Sequence, residues 1–406
     1  MSPPRPDFRK RQTKIVATLG PATDGPGVIA QLAQSGADVF RLNLSHGSLA
    51  EHAARIDRIR AEAPAAAILA DLQGPKIRLG IFENGSAELQ TGDEFTIATE
   101  EVSGNAARAS TTYRDFARDV KPGNRVLLAD GAVELRVEST DGVSARCRVI
   151  SGGRVGDRKG INLPGAEISA PSLTEKDRKD LAFALDRGAD LIALSFVRRA
   201  ADLHALREAV AGASRQPLLV AKIEKAEGWR NLEGILEAAD GVMVARGDLG
   251  VEMPVDEIPF IQKSIIRRAR RRGRFVITAT QMLESMINSP AATRAEVSDV
   301  ANAIFDGTDA VMLSAETSVG KYPAAAVRTM ASIACAADSH REFGSWEDLH
   351  GEPGASDPAI VASAVYEAAL STHVRAIAVF TITGSSARLI SRLRPPDPVY
   401  AFTPST

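Results

Sequence analysis

Eight short apolar runs recur along the chain, each followed by a segment whose apolar residues return every three or four positions. The runs are KIVATLG (14–20), ADVFRLNL (37–44), AAILADL (66–72), ADLIALSF (189–196), LLVAKIE (218–224), GVMVARGD (241–248), FVITATQ (275–281) and DAVMLSAE (309–316). Near-continuous apolarity predicts strands buried on both faces, as parallel strands under helices are. Segments such as 173–188 and 255–273 carry helical periodicity and end at Gly, a common helix stop. Eight strand–helix units predict a closed (β/α)8 TIM barrel. An open doubly wound sheet is the weaker option, because no GxGxxG follows the first strand.

The pattern breaks twice. Over residues 80–163 short alternating strands (ELRVES 134–139, VSARCRVI 143–150) and Gly-containing turns replace it. This predicts a small β-barrel domain inserted in a βα loop, placed on the catalytic face to act as a lid. After a polar stretch near 339–357 come a helix (358–371), the strand RAIAVF (375–380), the turn TITGSS, a helix (386–394) and VYAFT. Two strands and two helices are few for a self-sufficient α/β domain. The expected division is a barrel over 1–79 and 164–340, a lid over 80–163 and a truncated α/β C-terminal domain over 345–406.

With 406 residues, 44% hydrophobic and 25% charged, the chain has room for a large core and the composition of a soluble globular protein. A net charge of −2 gives no general reason to expect nucleic acid or membrane partners. Cys147 and Cys335 form no metal or disulfide pattern, so a reducing cytoplasm is the expected setting. The basic, Pro-rich start MSPPRPDFRKRQ lacks the apolar segment of a signal peptide. No run approaches the length needed to cross a bilayer. The basic run RRARRRGR (267–274) ends a predicted helix, where cations favour the dipole; a nucleic-acid patch is the lesser reading.

Charged residues at the ends of apolar strands are costly unless they are paired, bound to metal or facing a ligand. Glu224 and Asp248 end adjacent runs and suit a hard divalent cation such as Mg2+; an ion pair with nearby Lys or Arg is the alternative. Lys222 shares a strand face with Glu224 and could steady an enolate or a phosphoryl group. RGDLGVE (246–252) is either a short helix with an anion-binding start or an ordinary loop. In FRLNLSHG (40–47), Arg41, Asn43 and Ser45 alternate on one face, and Arg suits phosphate. His46 is as readily a passive neighbour of a helix over 49–62 capped by Ser45 or Ser48. Asp71, Lys76 and Arg78 stand at the mouth of the insertion, and TITGSS is a phosphate seat or a plain turn.

Together these segments resemble pyruvate kinases. KIVATLGPAT, FRLNLSHG, LADLQGPKIRLG, KGINLPG, LTEKD, SFVR, AKIEKAEG, GVMVARGDLGVE, ATQMLESM and ATRAEVSDVANAIFDGTDAVMLSAETSVGKYP occur in family order, over residues 13–406. The resemblance implies phosphoryl transfer from phosphoenolpyruvate to ADP, giving pyruvate and ATP, with Mg2+ or Mn2+ held by Glu224 and Asp248. It implies that Lys222 stabilises the transferring phosphoryl and the enolate, and that Arg41 binds the substrate phosphate. Gly247, Asp248 and Thr280 match the group holding the substrate carboxylate. Asn43, His46, Arg78 and Lys159 match the nucleotide side, and Ser314 and Glu316 a proton relay to the enolate carbon. The resemblance also implies a homotetramer for the full-length family, leaving the assembly of this shorter chain open.

Two departures alter the expectation. The family's monovalent-cation pocket corresponds to oxygen groups at Asn43, Ser45, Asp71 and the next residue, with a Glu where Lys76 stands. Here the residues are Leu72 and Lys76, so an ammonium is expected to replace K+ and the enzyme to work without it. The family's longer C-terminal domain carries, in some members, a sugar-phosphate effector site. TITGSS resembles only its first loop, so no such activation is expected. The competing functions are a Mg2+-dependent pyruvate-enolate lyase or aldolase, which has no need of the lid, Arg78 or Lys159, and a non-catalytic metabolite-binding relative. Loss of Lys222, Glu224 or Thr280 would favour the latter, and all three are present.

Overall fold

The computed structural model describes residues 11–340, 343–344 and 356–404. The eight runs form eight parallel strands: β1 (Lys14–Thr18), β2 (Val39–Asn43), β3 (Ala67–Leu72), β4 (Leu191–Leu194), β5 (Leu218–Ile223), β6 (Gly241–Ala245), β7 (Phe275–Ala279) and β8 (Ala310–Leu313). They close in the order β1-β8-β7-β6-β5-β4-β3-β2. Seven of the eight strands end before their apolar runs do, β3 alone reaching the last residue of its run at Leu72, so the polar residues at the end of most runs lie on the βα turns.

Alternation within the strands builds the floor of the site. Val16, Leu69, Val220, Met243, Ile277 and Met312 are buried together inside the barrel. Residues two further on point the same way, which raises Thr18, Asp71, Lys222, Ala245, Ala279 and Ser314 above that apolar plug. Side chains on the other strand faces join the helices in a second, larger core.

The helices start where side chains satisfy their first backbone N–H groups. Ser48 and Glu51 form a capping box for Leu49–Glu62, so Ser48 and not Ser45 is the cap. Thr174 with Asp177 and Thr293 with Glu296 do the same for Glu175–Asp186 and Arg294–Phe305. The basic run closes the helix Ile258–Arg271. Arg268 and Arg272 pair there with Glu233 at 2.6 and 2.9 Å, the solvated helix end that the dipole argument expects.

The insertion after β3 folds as a six-stranded sheet and a two-stranded ribbon around a core of its own, which includes Leu79, Phe95, Phe116 and Val149. At the other end of the chain, the helices Asp357–Ser371 and Ser385–Ser391 accompany a parallel pair, Ile377–Phe380 with Val399–Phe402. Arg394 ties this part to the foot of the barrel, 3.3 Å from Thr13 Oγ1 and 3.6 Å from Asp338 and Asp309. Most of the polar stretch 339–357 and the basic N-terminal residues 1–10 lie outside the described residues.

Candidate active site

A chain of charged side chains crosses the C-terminal mouth of the barrel. Arg41 leans inward from β2 and pairs with Asp71 of β3, its Nε and Nη2 each 2.7 Å from Oδ2, while Nη1 donates to Thr18 Oγ1 at 3.0 Å. Lys222 Nζ lies 3.3 Å from Asp71 Oδ1 and 2.8 Å from Glu224 Oε1, and donates to Ser195 Oγ at 2.7 Å. Glu224 Oε2 accepts the Phe196 N–H at 2.8 Å. Asp71 and Glu224 are 1% and 2% exposed, and Arg41 and Lys222 are 8%. Buried charges at this density persist only when paired.

Burial disfavours the Lys222 cation, but the Asp71 and Glu224 carboxylates outweigh it and hold its pKa above the ordinary lysine value. Burial likewise acts against the Asp71 carboxylate, and Lys222 and Arg41 overturn that, leaving its pKa lowered. Glu224 differs. Its pKa is raised by burial, against Lys222, with the Asp248 carboxylate pushing the same way as burial. Two cations, Arg41 and Lys222, thus face three carboxylates, Asp71, Glu224 and Asp248. Asp248 sits in the first turn of the short helix Arg246–Glu252 and makes no ion pair among the described residues. A site with one carboxylate more than its cations, Asp248 crowding the Lys222-paired Glu224, fits a divalent ion with oxygen ligands. No cluster of three or more His, Cys, Asp or Glu converges among the described residues, so the fit rests on Glu224 and Asp248.

The 246–252 segment is a helix and not an open loop. Its Gly247 N–H donates to Thr280 Oγ1 at 2.7 Å, and that hydroxyl donates to Ala279 O at 2.6 Å. On the β8 side, Glu316 is fully engaged in fastening the turn: it accepts the Leu283 N–H at 3.1 Å and the Ser314 N–H at 2.7 Å. The Ser314 Oγ is buried with no hydrogen-bond partner among the described residues, a hydroxyl left with capacity to spare.

The other sequence-predicted residues form a basic rim. His46 is held below the ordinary histidine pKa, first by partial desolvation and then by Lys76, Arg78, Arg41 and Lys176 around it. Asn43 Oδ1 accepts the Ser45 N–H at 3.2 Å. Arg78 is at the root of the insertion, bridged to Gly160 and donating to Arg158 O at 3.0 Å, with exposed Lys159 beside it. Lys76 is exposed and lines a cleft with Asp248, Phe196 and Arg198. The Leu72 side chain is buried in the outer core, and its carbonyl accepts the Ser195 hydroxyl at 2.7 Å. Thr278 does not join the site: it is sealed in the wall against Thr308 at 2.9 Å.

Three participants escape sequence reasoning: Thr18, Ser195 and the Phe196 N–H. The SFVR segment ends a barrel run, which is the signal that could have found Ser195. Phe196, non-glycine with φ 56°, carries no such mark.

Comparison with known proteins points to one family. The sequence pattern described as pyruvate kinase, barrel domain, matches residues 10–327, and that of the pyruvate kinase alpha/beta domain matches 359–406. The chain is 48% identical to pyruvate kinase 2 of Synechocystis sp., covering 97% of this chain and 68% of that protein. It is 47% identical to the pyruvate kinase of Mycobacterium intracellulare, covering 97% and 84%. A crystal structure of a pyruvate kinase from Cryptosporidium parvum superposes with a TM-score of 0.93 at 37% identity, covering 98% of this chain and 84% of that one.

Proposed function

The chain belongs to the pyruvate kinase family, and from that premise we propose that it moves the phosphoryl group of phosphoenolpyruvate to ADP, giving pyruvate and ATP in glycolysis. The observation that carries the reading is the buried chain Arg41–Asp71–Lys222–Glu224, charged throughout and open toward Asp248. Phosphoryl transfer needs positioning and charge neutralisation more than covalent chemistry. Lys222 and Arg41 are cations already locked in place before substrate arrives, which is the condition for effective electrostatic stabilisation.

In this reading Arg41 binds the substrate phosphate and Lys222 the phosphoryl in transit and the enolate oxygen. Gly247 and Thr280 orient the carboxylate. Glu224 and Asp248 hold Mg2+ or Mn2+, which when bound neutralises phosphoryl and carboxylate charge. As the phosphorus–oxygen bond to the enol breaks and that to ADP forms, the enolate takes a proton at its methylene carbon. The Ser314 hydroxyl, which has no hydrogen-bond partner among the described residues, relays that proton to the carbon and regains one from solvent, with Glu316 fixing its backbone. The rim of His46, Arg78 and Lys159, with Asn43 beneath it, takes the nucleotide phosphates, a use favoured by the basic field around His46. The 80–163 insertion closes over the mouth and excludes water.

Lys76 serves in place of K+. The setting is a reducing cytoplasm, in keeping with a sequence whose two cysteines form no metal or disulfide pattern, and among the described residues no helix is long and apolar enough to cross a membrane. The test is pyruvate formation from phosphoenolpyruvate and ADP with Mg2+ on the purified chain. Turnover that requires both substrates supports the reading; cleavage of a pyruvate adduct without nucleotide would replace it with the lyase.

A further inference from the structure

Thr280 and Gln281 both have left-handed backbones, with φ 71° and 54°. For a β-branched residue this region is a steric outlier, kept only where the surroundings over-determine it. Neither position is a glycine, and what holds them comes from the neighbouring strand end. Arg246 Nη2 donates to Thr280 O at 2.9 Å and to Gln281 O at 3.2 Å, and Nε reaches Thr280 O at 3.3 Å. From behind, Asp299 grips the same guanidinium at 2.7 and 2.8 Å, and Gln262 Oε1 lies 3.4 Å away. The Arg246 side chain is 11% exposed.

Arg246 also precedes Gly247, whose N–H donates to Thr280 Oγ1. The turns after β6 and β7 are therefore fastened twice, once by a side chain and once by the backbone next to it. We infer that Arg246 is a positioning residue: it sets Thr280 and Gly247–Asp248 in the geometry that the substrate carboxylate and the divalent ion require, touching neither. This rests on the function proposed above. A planar guanidinium can serve two carbonyls and a carboxylate at once, which an ammonium cannot match in geometry. The nucleotide rim of His46, Arg78 and Lys159 hangs on β2 and the insertion, and Arg246 has no hydrogen bond to it. The effect of losing Arg246 is accordingly one-sided.

The experiment compares Arg246→Leu, Arg246→Lys and Asp299→Asn with the unmodified chain, varying phosphoenolpyruvate and ADP separately and recording thermal melting. We expect kcat/KM for phosphoenolpyruvate to fall on the order of 10²-fold in Arg246→Leu, the scale of misplaced catalytic geometry. Arg246→Lys and Asp299→Asn fall several-fold while melting with the unmodified chain. Half-saturating ADP stays within about twofold throughout, which loss of general stability would not produce. The inference is overturned if a folded Arg246→Leu keeps kcat/KM for phosphoenolpyruvate within twofold, or if half-saturating ADP rises in step. If Arg246→Leu does not fold, Arg246→Lys and Asp299→Asn decide by the same criterion. An unmodified chain that makes no pyruvate sinks the proposed function; an active chain with indifferent variants sinks only the role of Arg246.

Discussion

Lys222 Nζ and Glu224 Oε1 stand 2.8 Å apart at the top of β5, two residues apart and both nearly sealed from solvent. Strand alternation makes them neighbours on one face, and the apolar plug beneath denies them water. The Asp71 and Glu224 carboxylates maintain the Lys222 cation against burial, and Lys222 in turn opposes the burial that raises the Glu224 pKa, so the group that would meet the phosphoryl is also the one that keeps the carboxylates buried.

Lys222→Met should therefore fail in two measurable ways. Pyruvate formation should drop by about 10²–10³ for the lost stabiliser. Stability in denaturant should fall by about 3–5 kcal/mol, because Glu224 remains buried without its cation and Asp71 keeps only Arg41. Adding Glu224→Gln should recover part of the stability and none of the activity. A folded Lys222→Met turning over within a few-fold of the unmodified chain would refute the role.

Asp24 joins the turn after β1 to the helix Leu49–Glu62, held by Arg55 at 2.8 and 2.9 Å and by Arg58 at 2.8 Å. The Arg55 hydrogen bond, against some burial, keeps its carboxyl below the ordinary range. A depressed native pKa contributes stability above the unfolded value, about 3.9, and loses it as pH falls through the native value. Asp24→Asn should cost about 0.5–1 kcal/mol at pH 7, since the pair is partly solvent-screened. The two stability curves should converge once the pH has fallen below the lowered native value. A gap that persisted there would assign the effect to packing.

Cys147 is buried in the core of the insertion, and burial, with Glu138 nearby, pushes its thiol up to about 12. The thiolate is the reactive form. In native protein at pH 8 a thiol reagent should leave Cys147 unlabelled and reach it only on adding denaturant. Rapid native labelling would mean that the core of the insertion opens.

Much of this site is legible in the sequence, for a physical reason. Arg41, Lys222 and Glu224 sit at spacing two in apolar runs, and alternation alone forces them onto the inner face. What the sequence withholds is the neighbour across the barrel wall. Nothing in SFVR says that the Ser195 hydroxyl lies between Lys222 and Leu72 O, since that depends on β4 adjoining both β3 and β5. Nor does FVITATQ announce a left-handed Thr280, because a β-branched residue argues against that backbone. For RGDLGVE the sequence leaves helix and loop both open, and the structure decides for the helix.

The last prediction concerns monovalent cations. Of the oxygen groups compared with the family's K+ pocket, Asn43 Oδ1 accepts the Ser45 N–H, Leu72 O accepts the Ser195 hydroxyl, and Asp71 faces both Arg41 and Lys222. Lys76 adds its charge to the same mouth, where it helps to depress the His46 pKa. With oxygens engaged and an ammonium at hand, a further cation has little to gain. Activity in buffer free of Na+ and K+ should be within twofold of that with K+ added. Lys76→Glu should lose about tenfold or more in K+-free buffer, the order of one misplaced charge near the phosphates, and regain most of it on adding K+. A strong K+ stimulation of the unmodified chain would show that Lys76 does not stand in for the ion, while leaving the phosphoryl-transfer assignment intact.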